Sequence, residues 1–161
     1  KLKEVKQKSD YIIDTTNMNL GRLKEEIKSI FIEGKISHNL TISIISFGYK
    51  YGIPNDADLI FDVRFMPNPY YVSELRPLTG NNKKIQDYVM KHDVSRIFVD
   101  KLVDMLVFLL PNYIKEGKSQ LVVGIGCTGG KHRSITIANV LADILGEQNY
   151  RILLSHRDEL K

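Results

Sequence analysis

The feature that most constrains this chain is a glycine-rich segment between an apolar run and an amphipathic stretch. It occupies residues 124–134 and reads Gly-Ile-Gly-Cys-Thr-Gly-Gly-Lys-His-Arg-Ser. Residues 120–127 are almost all apolar, as in a strand covered on both faces, and residues 135–145 have helical periodicity. Glycines let a backbone curl until successive N–H groups converge, and a helix start adds free donors and a positive dipole end. The segment therefore predicts an anion-binding turn between a buried strand and a helix.

The side chains of this turn favour phosphate as the anion. Arg133 suits bidentate contact with phosphate oxygens, Lys131 suits a point-charge contact, and His132 adds a third basic group. A glycine turn with solvated basic residues is the simpler alternative, but four glycines and three basic residues within eleven positions favour an anion site. The predicted phosphate-binding residues are Cys127, Thr128, Gly129, Gly130, Lys131, His132, Arg133 and Ser134.

Apolar periodicity along the chain predicts strands that alternate with helices. Its length of 161 residues suits one domain with one core. The pattern predicts a single α/β domain with a mostly parallel sheet flanked by helices, and a phosphate-binding loop at a strand-to-helix turn. Pro111 is expected to kink or end its helix. The predicted strands are 11–13, 40–47, 58–64, 120–127 and 151–154, and the predicted helices are 20–31 (capped within 15–17), 83–90, 95–115 and 135–145.

Ligands of parallel sheets collect at the carboxyl ends of the strands, where three loops are expected to meet. These loops span residues 48–56, 64–80 and 126–134. The tyrosines beside Lys50 are equally consistent with packing, and Asp62 and Arg64, which share one strand face, could simply neutralise each other. The residues predicted on the sugar or nucleoside side of the ligand are Lys50, Asp62, Arg64, Asn68, Arg76, Thr79 and Gly80.

Two nucleotide-binding motifs overlap the turn without matching it fully. Gly124, Gly126 and Gly129 satisfy the dinucleotide pattern G-x-G-x-x-G, but no acidic residue ends the following strand to bind a ribose. The Walker pattern fails because Ile125 replaces its first glycine and His132 replaces the Ser or Thr that binds magnesium.

A third motif fits more closely. Cys127, Gly130, Arg133 and Ser134 satisfy C-x-x-G-x-x-R-[ST], the phosphate loop of cysteine-dependent phosphatases. A cysteine at a helix start among basic residues favours a nucleophilic thiolate. Against this alternative, Gly126 replaces the usual preceding His, and no Trp-Pro-Asp-like segment supplies a general acid. Asp56, Asp58 and Asp62 remain possible general acids whose positions the sequence does not fix. The regulatory, non-enzymatic interpretation is therefore preferred.

Composition indicates the cellular location of the domain and the kinds of partner it could bind. One cysteine cannot form an internal disulfide and no apolar leader is visible, which together favour a cytoplasmic protein. No apolar run approaches the roughly 20 residues of a membrane helix, so no membrane partner is expected. The net charge of +4 suits a phosphate-bearing partner, and no Cys/His spacing indicates a metal. The chain begins Lys-Leu-Lys without Met, so residues 1–9 are predicted to be a poorly ordered linker from a missing domain.

With these motifs in view, the chain resembles the C-terminal domain of the RapZ (YvcJ-type) family of bacterial nucleotide-binding and RNase-adaptor proteins. The resemblance extends over residues 10–161. The segments that carry it are Phe47-Gly48-Tyr49-Lys50-Tyr51-Gly52-Ile53-Pro54, Asp56-Ala57-Asp58, Phe61-Asp62-Val63-Arg64-Phe65, Asn68-Pro69, Leu75-Arg76-Pro77, Thr79-Gly80 and Gly126-Cys127-Thr128-Gly129-Gly130-Lys131-His132-Arg133-Ser134.

The resemblance implies a domain that senses an amino-sugar metabolite, such as glucosamine 6-phosphate or UDP-N-acetylglucosamine, with residues 126–134 as the phosphate cradle. It implies no cofactor here, but a preceding P-loop domain that binds ATP or GTP with magnesium. It also implies a homo-oligomer and, as further partners, small RNA or a regulatory protein. Residues 155–161 balance their charges, which is a weak footprint for RNA, so RNA is placed second to the metabolite.

Overall fold

A computed structural model describes residues 6, 9, 11–16, 18–32, 40–148 and 150–161. These ranges contain four strands, four α-helices and two 3₁₀ turns. The strands are β1 (Thr41–Gly48), β2 (Leu59–Asp62), β3 (Gln120–Cys127) and β4 (Arg151–His156). The α-helices are α1 (Leu20–Ile32), α2 (Lys83–Met90), α3 (Asp93–Lys115) and α4 (Arg133–Glu147), and the 3₁₀ turns are Tyr49–Tyr51 and Pro69–Tyr71.

The strands form one parallel sheet in the order β2-β3-β1-β4. In the ladder Gly48 is paired with Cys127, and Asp62 is paired with Gly126. The loops that follow β1, β2 and β3 therefore leave the same edge of the sheet. This arrangement confirms the predicted α/β domain with a parallel sheet flanked by helices.

The core lies between the two central strands and the helices that cross them. In β3 every residue from Leu121 to Cys127 is buried, as the apolar run predicts. Helix α4 packs across β1, β3 and β4, while α3 presents Leu102, Leu106 and Leu110 to the core. That four-residue spacing places them on one face of the helix. The sheet and these helices hold the strand ends in place beneath the loops.

The region before α1 differs from the prediction. Residues 11–13 form no strand in the described structure, and no described strand pairs with them. The cap of α1 is Asn19, whose side chain accepts a hydrogen bond from the Arg22 amide at 2.9 Å. Thr16 instead donates its amide to Asp14, and Asn17 lies outside the described residues. Most of the predicted linker at residues 1–9 also lies outside them.

Helix α3 continues past Pro111 to Lys115, so the proline does not end it. The Asn112 side chain donates to the carbonyl of Phe108 at 2.7 Å, in the turn that contains the proline. Tyr113 and Ile114 also pack against the core, and this packing outweighs the missing amide. No helix of the described ranges has the length and apolar character needed to cross a membrane.

A buried and an exposed residue of α3 allow a test of which face of this helix packs against the core. Leu106 is 0% exposed and Phe108 is 70% exposed. We expect Leu106→Ala to lower the free energy of unfolding by about 2–5 kcal/mol, because it leaves a cavity. Phe108→Ala should change it by less than about 1 kcal/mol. Urea denaturation of both variants measures this, and equal losses would contradict the described packing.

Candidate functional site

A pocket of about 690 Å³ opens at the carboxyl ends of β1 and β3. All three loops that leave this edge contribute to it, as the sequence predicts for a parallel sheet. The lining residues are Lys50 after β1, Asn68, Tyr70, Tyr71, Ser73, Arg76 and Pro77 after β2, Cys127, Thr128, Gly129, Lys131, His132 and Arg133 after β3, and Lys161.

The loop after β3 carries backbone donors that the protein does not use. Among the hydrogen bonds of the described residues, none has its donor in the backbone N–H groups of residues 128–135. The first amide bond of α4 runs from Thr136 to the carbonyl of His132 at 3.0 Å. Free amides at a helix start attract anions, because they add donors to the positive dipole end. The predicted anion-binding turn therefore has its donors available.

The end of β1 supports this loop from one side at very short range. A Cβ atom on Gly48 would lie 2.6 Å from the carbonyl carbon of Gly129. Gly130 has φ of +74°, and a Cβ there would lie 2.8 Å from both the Gly48 nitrogen and Asp158 Cβ. Such contacts exclude any side chain, so both glycines are needed for the loop to lie against β1.

Gly80 supports the loop from a second side. Its amide donates to the carbonyl of Lys131 at 2.8 Å, and a Cβ there would lie 2.4 Å from the carbonyl oxygen of His132. Gly80 therefore packs against the loop backbone and does not line the pocket. Thr79 beside it accepts the amide of Asn81 at 3.3 Å and also lies outside the lining.

Asp158 is a buried residue that supports the loop, and the sequence did not predict this role. Its carboxylate accepts the Gly48 amide and the Lys161 ammonium, each at 2.8 Å, and pairs with Arg157. Burial alone would raise the pKa of Asp158, but the hydrogen bonds from Arg157, Gly48 and Lys161 lower it to about 2. The ionised carboxylate holds the end of β1 and places Lys161 at the pocket.

Arg133 is 4% exposed and only partly used by the protein. One nitrogen, Nη1, donates to the carbonyls of Arg64 at 2.6 Å and Met66 at 3.0 Å. Nη2 has one long contact, 3.4 Å to Thr128 Oγ1, and the buried Nε has no partner. Burial lowers the pKa of Arg133, yet a guanidinium stays charged at neutral pH. Arg133 therefore ties the second loop to the third and keeps donor capacity at the pocket.

His132 differs from the charged role predicted for it. Its Nε2 lies 2.8 Å from the carbonyl oxygen of Leu78, and a carbonyl only accepts, so Nε2 carries the proton. Burial lowers the pKa of His132 despite this hydrogen bond. Burial therefore disfavours the charged form of the ring, and Lys131 and Arg133 remain the cationic side chains of the loop.

Cys127 and Ser134 meet at the base of the loop. The Cys127 Sγ and Ser134 Oγ atoms are 3.1 Å apart and buried, and Cys127 also lines the pocket. A Cβ on the preceding Gly126 would lie 2.5 Å from the Phe47 ring and 2.6 Å from the Tyr49 ring. The absence of a side chain before Cys127 is therefore explained by aromatic packing.

The predicted sugar-side residues divide into two groups. Lys50, Asn68 and Arg76 line the pocket, whereas Asp62 and Arg64 do not. The Arg64 Nη2 atom lies 2.7 Å from the Asp62 carboxylate, and its guanidinium stacks 4.1 Å from the centre of the Tyr49 ring. The hydrogen bond from Arg64 is the main cause that lowers the pKa of Asp62. Asp62 and Arg64 therefore neutralise each other's charge and satisfy each other's hydrogen bonds at the end of β2.

Five lining residues were not among the predicted site residues: Tyr70, Tyr71, Ser73, Pro77 and Lys161. The tyrosines belong to the 3₁₀ turn that starts at Pro69, and the Arg76 guanidinium lies 4.7 Å from the Tyr70 ring. Five cationic side chains now line the pocket, and no carboxylate does among the described lining residues. The cationic residues are Lys50, Arg76, Lys131, Arg133 and Lys161.

This charge pattern suits an anion and not a cation. Among the described residues, no three His, Cys, Asp or Glu side chains come together in a way that could hold a metal ion. Asp58, one of the unassigned acids, accepts the Val122 amide at 2.8 Å and pairs with Lys118 at 2.7 Å. It therefore links β2 to β3 away from the pocket.

Comparison with known proteins relates this chain to one family and to longer bacterial proteins. The family described as RapZ C-terminal domain matches residues 40–160. The chain is 61% identical over 158 residues to a nucleotide-binding protein of Alkaliphilus oremlandii, covering 98% of this chain and 54% of that protein. It is 55% identical over 159 residues to a nucleotide-binding protein of Clostridioides difficile, covering 99% of this chain and 56% of that protein. The chain thus spans about half the length of the curated relatives it matches.

Asp158 allows a test of the loop support. Its folded-state pKa lies below the ordinary 3.8, so its contribution to stability is complete above about pH 4 and is lost as the pH falls toward 2. Asp158→Asn leaves the partly exposed Arg157 and Lys161 without their shared carboxylate. We expect a loss of about 2 kcal/mol at pH 7, which corresponds to lowering the pKa from 3.8 to about 2. The variant should also lose less stability than the parent between pH 4 and 2.

Asp87→Asn is the matched control, because Asp87 forms an exposed pair with Lys83 on α2. Its effect at pH 7 should stay below about 1 kcal/mol. Denaturant titrations from pH 7 to pH 2 compare the three proteins. Parallel pH profiles for the parent and Asp158→Asn would show that Asp158 does not carry the acid dependence.

Proposed function

This chain belongs to the RapZ C-terminal domain family, and we propose that it is a regulatory module that binds a phosphorylated amino sugar or a nucleotide sugar. Glucosamine 6-phosphate and UDP-N-acetylglucosamine are the ligands we propose first. One observation carries the proposal: of the residues 128–135 with unused amides, 128, 129 and 131–133 line a pocket that has five cationic side chains and no carboxylate among its described lining residues.

The phosphate is assigned to the loop after β3. The N–H groups of residues 128–135 have no acceptor in the described chain, and a buried helix start without partners is unfavourable. Phosphate oxygens satisfy such amides and gain from the positive end of α4. Lys131 and Arg133 add charge-assisted hydrogen bonds, which are about twice as strong as neutral ones.

The rest of the pocket suits a polar ring attached to the phosphate. Asn68 and Ser73 offer groups that hydrogen-bond hydroxyls, and Tyr70 and Tyr71 offer aromatic faces. The Asn68 Oδ1 atom accepts the Tyr70 amide at 3.3 Å, which orients the side chain in the second loop. A pocket of about 690 Å³ falls within the usual range of small-molecule sites.

The relatives' name concerns proteins about twice as long as this chain. We propose that in the whole protein a separate P-loop domain binds ATP or GTP with magnesium. The turn after β3 departs from the Walker pattern, because Ile125 and His132 occupy two of its defining positions. The present domain would then report metabolite levels to that neighbour.

The phosphate assignment is tested by calorimetry with glucosamine, glucosamine 6-phosphate and UDP-N-acetylglucosamine. We expect binding of at least one phosphorylated compound and none of glucosamine. Lys131→Ala should weaken that binding by about tenfold or more, because a hydrogen bond to a charged group contributes about 1.5–3 kcal/mol.

Lys84→Ala is the matched control, since Lys84 is exposed on α2 away from the pocket. It removes the same charge and should leave the affinity unchanged. Equal weakening by both substitutions would indicate a general charge effect. Failure of both phosphorylated ligands to bind at millimolar concentration would reject the proposal.

A further inference from the structure

Binding of a phosphate does not account for the thiol at the base of the pocket. The amides of residues 128–135 and the cationic side chains are sufficient to hold the anion. Cys127 nevertheless lines the pocket at the point where β3 ends, with its Sγ atom 3.1 Å from Ser134 Oγ. A buried sulfur that lines a pocket with cationic side chains has a chemical use as a nucleophile.

Three side chains converge there with the spacing of a phosphoryl-transfer loop. Five residues separate Cys127 from Arg133, and Ser134 follows directly. The structure joins Ser134 to the sulfur, while Arg133 contacts Thr128 and keeps a buried Nε without a partner. An unpartnered donor on a guanidinium that is 4% exposed and lines the pocket points independently to an anionic ligand.

We propose that Cys127 attacks the phosphorus of a phosphate ester held by this loop, so that the domain carries a phosphoryl-transfer activity beyond binding. The thiol first loses its proton to solvent, since the thiolate is the nucleophile. An S–P bond forms as the P–O bond to the leaving group breaks, and that bond's electron pair leaves with the oxygen.

Water then completes the cycle. Its oxygen bonds to phosphorus while the S–P pair returns to sulfur; one water proton goes to the thiolate and the other stays on the released phosphate. Ser134 Oγ–H is placed to stabilise the sulfur as it departs, so it is a positioning residue for this second step. No oxidant, metal or further reactant is needed.

The pocket also determines which esters react. No carboxylate lines it among the described residues, and the nearby Asp62 is bound to Arg64 and stays ionised. The Nε2 proton of His132 is bound to the Leu78 carbonyl. Without a carboxylic acid or an imidazolium among the described lining residues, only the weaker acids lysine and tyrosine could protonate a leaving oxygen. Aryl oxygens depart without that proton, whereas sugar alkoxides need it. Sugar phosphates therefore remain intact in the pocket, which agrees with the proposed sensing role.

The test compares p-nitrophenyl phosphate with glucosamine 6-phosphate as substrates of the purified chain. We expect slow release of p-nitrophenol and at least about 10²-fold slower phosphate release from the sugar ester, because a general acid typically contributes about 10²–10⁴-fold. Acid quenching should trap a phosphoryl group on Cys127, located by mass spectrometry of peptides. Ser134→Ala should raise the trapped fraction.

Cys127→Ser, purified in parallel, controls for contaminating phosphatases and should lose both turnover and adduct. Turnover that survives in Cys127→Ser would overturn the inference. Calorimetry with inorganic phosphate separates the remaining outcomes. If phosphate binds but neither turnover nor adduct appears, the inference fails and the binding function stands; if phosphate does not bind, both fail.

Discussion

The structure depends on the unsatisfied hydrogen-bonding capacity of one loop backbone. Amides without an acceptor are unfavourable at the buried start of a helix unless an anion or water completes them. Here that row of donors, at residues 128–135, faces no competing acceptor of the described chain. The surrounding cations add to the same effect, and the absence of carboxylates among the described lining residues preserves it. The loop backbone therefore supports the proposed anion site before any side chain is considered.

The loop can present these amides because glycines, which have no side chain, let neighbouring elements pack directly against its backbone. Gly48 and Gly80 contact the loop backbone from two elements, and Asp158 connects the end of β1 to Lys161. Arg133 then joins the loop to the carbonyls of Arg64 and Met66. Binding and any chemistry at Cys127 rest on this same support, since the thiol lies at the end of the strand that the loop extends.

The local sequence pattern predicted the helices and strands well, but it predicted the contacts between distant residues poorly. The bounds of α2 and β3 match the sequence prediction, because periodicity and continuous apolarity are local properties. The strand predicted at residues 11–13 is not found in the described structure, because a three-residue apolar run does not specify pairing in a sheet. The role of Asp158 depends on Gly48, 110 residues away, and the placement of the buried His132 ring depends on Leu78, 54 residues away. Such pairings arise from topology and leave no pattern in the sequence.

The most direct measurement is nuclear magnetic resonance of the backbone amides during titration with inorganic phosphate. Hydrogen bonds to an anion move amide proton resonances downfield. The account predicts saturable downfield shifts confined mainly to residues 128–135, with slower exchange of those protons with water. Phosphate that shifts other regions while these amides stay unchanged would contradict it.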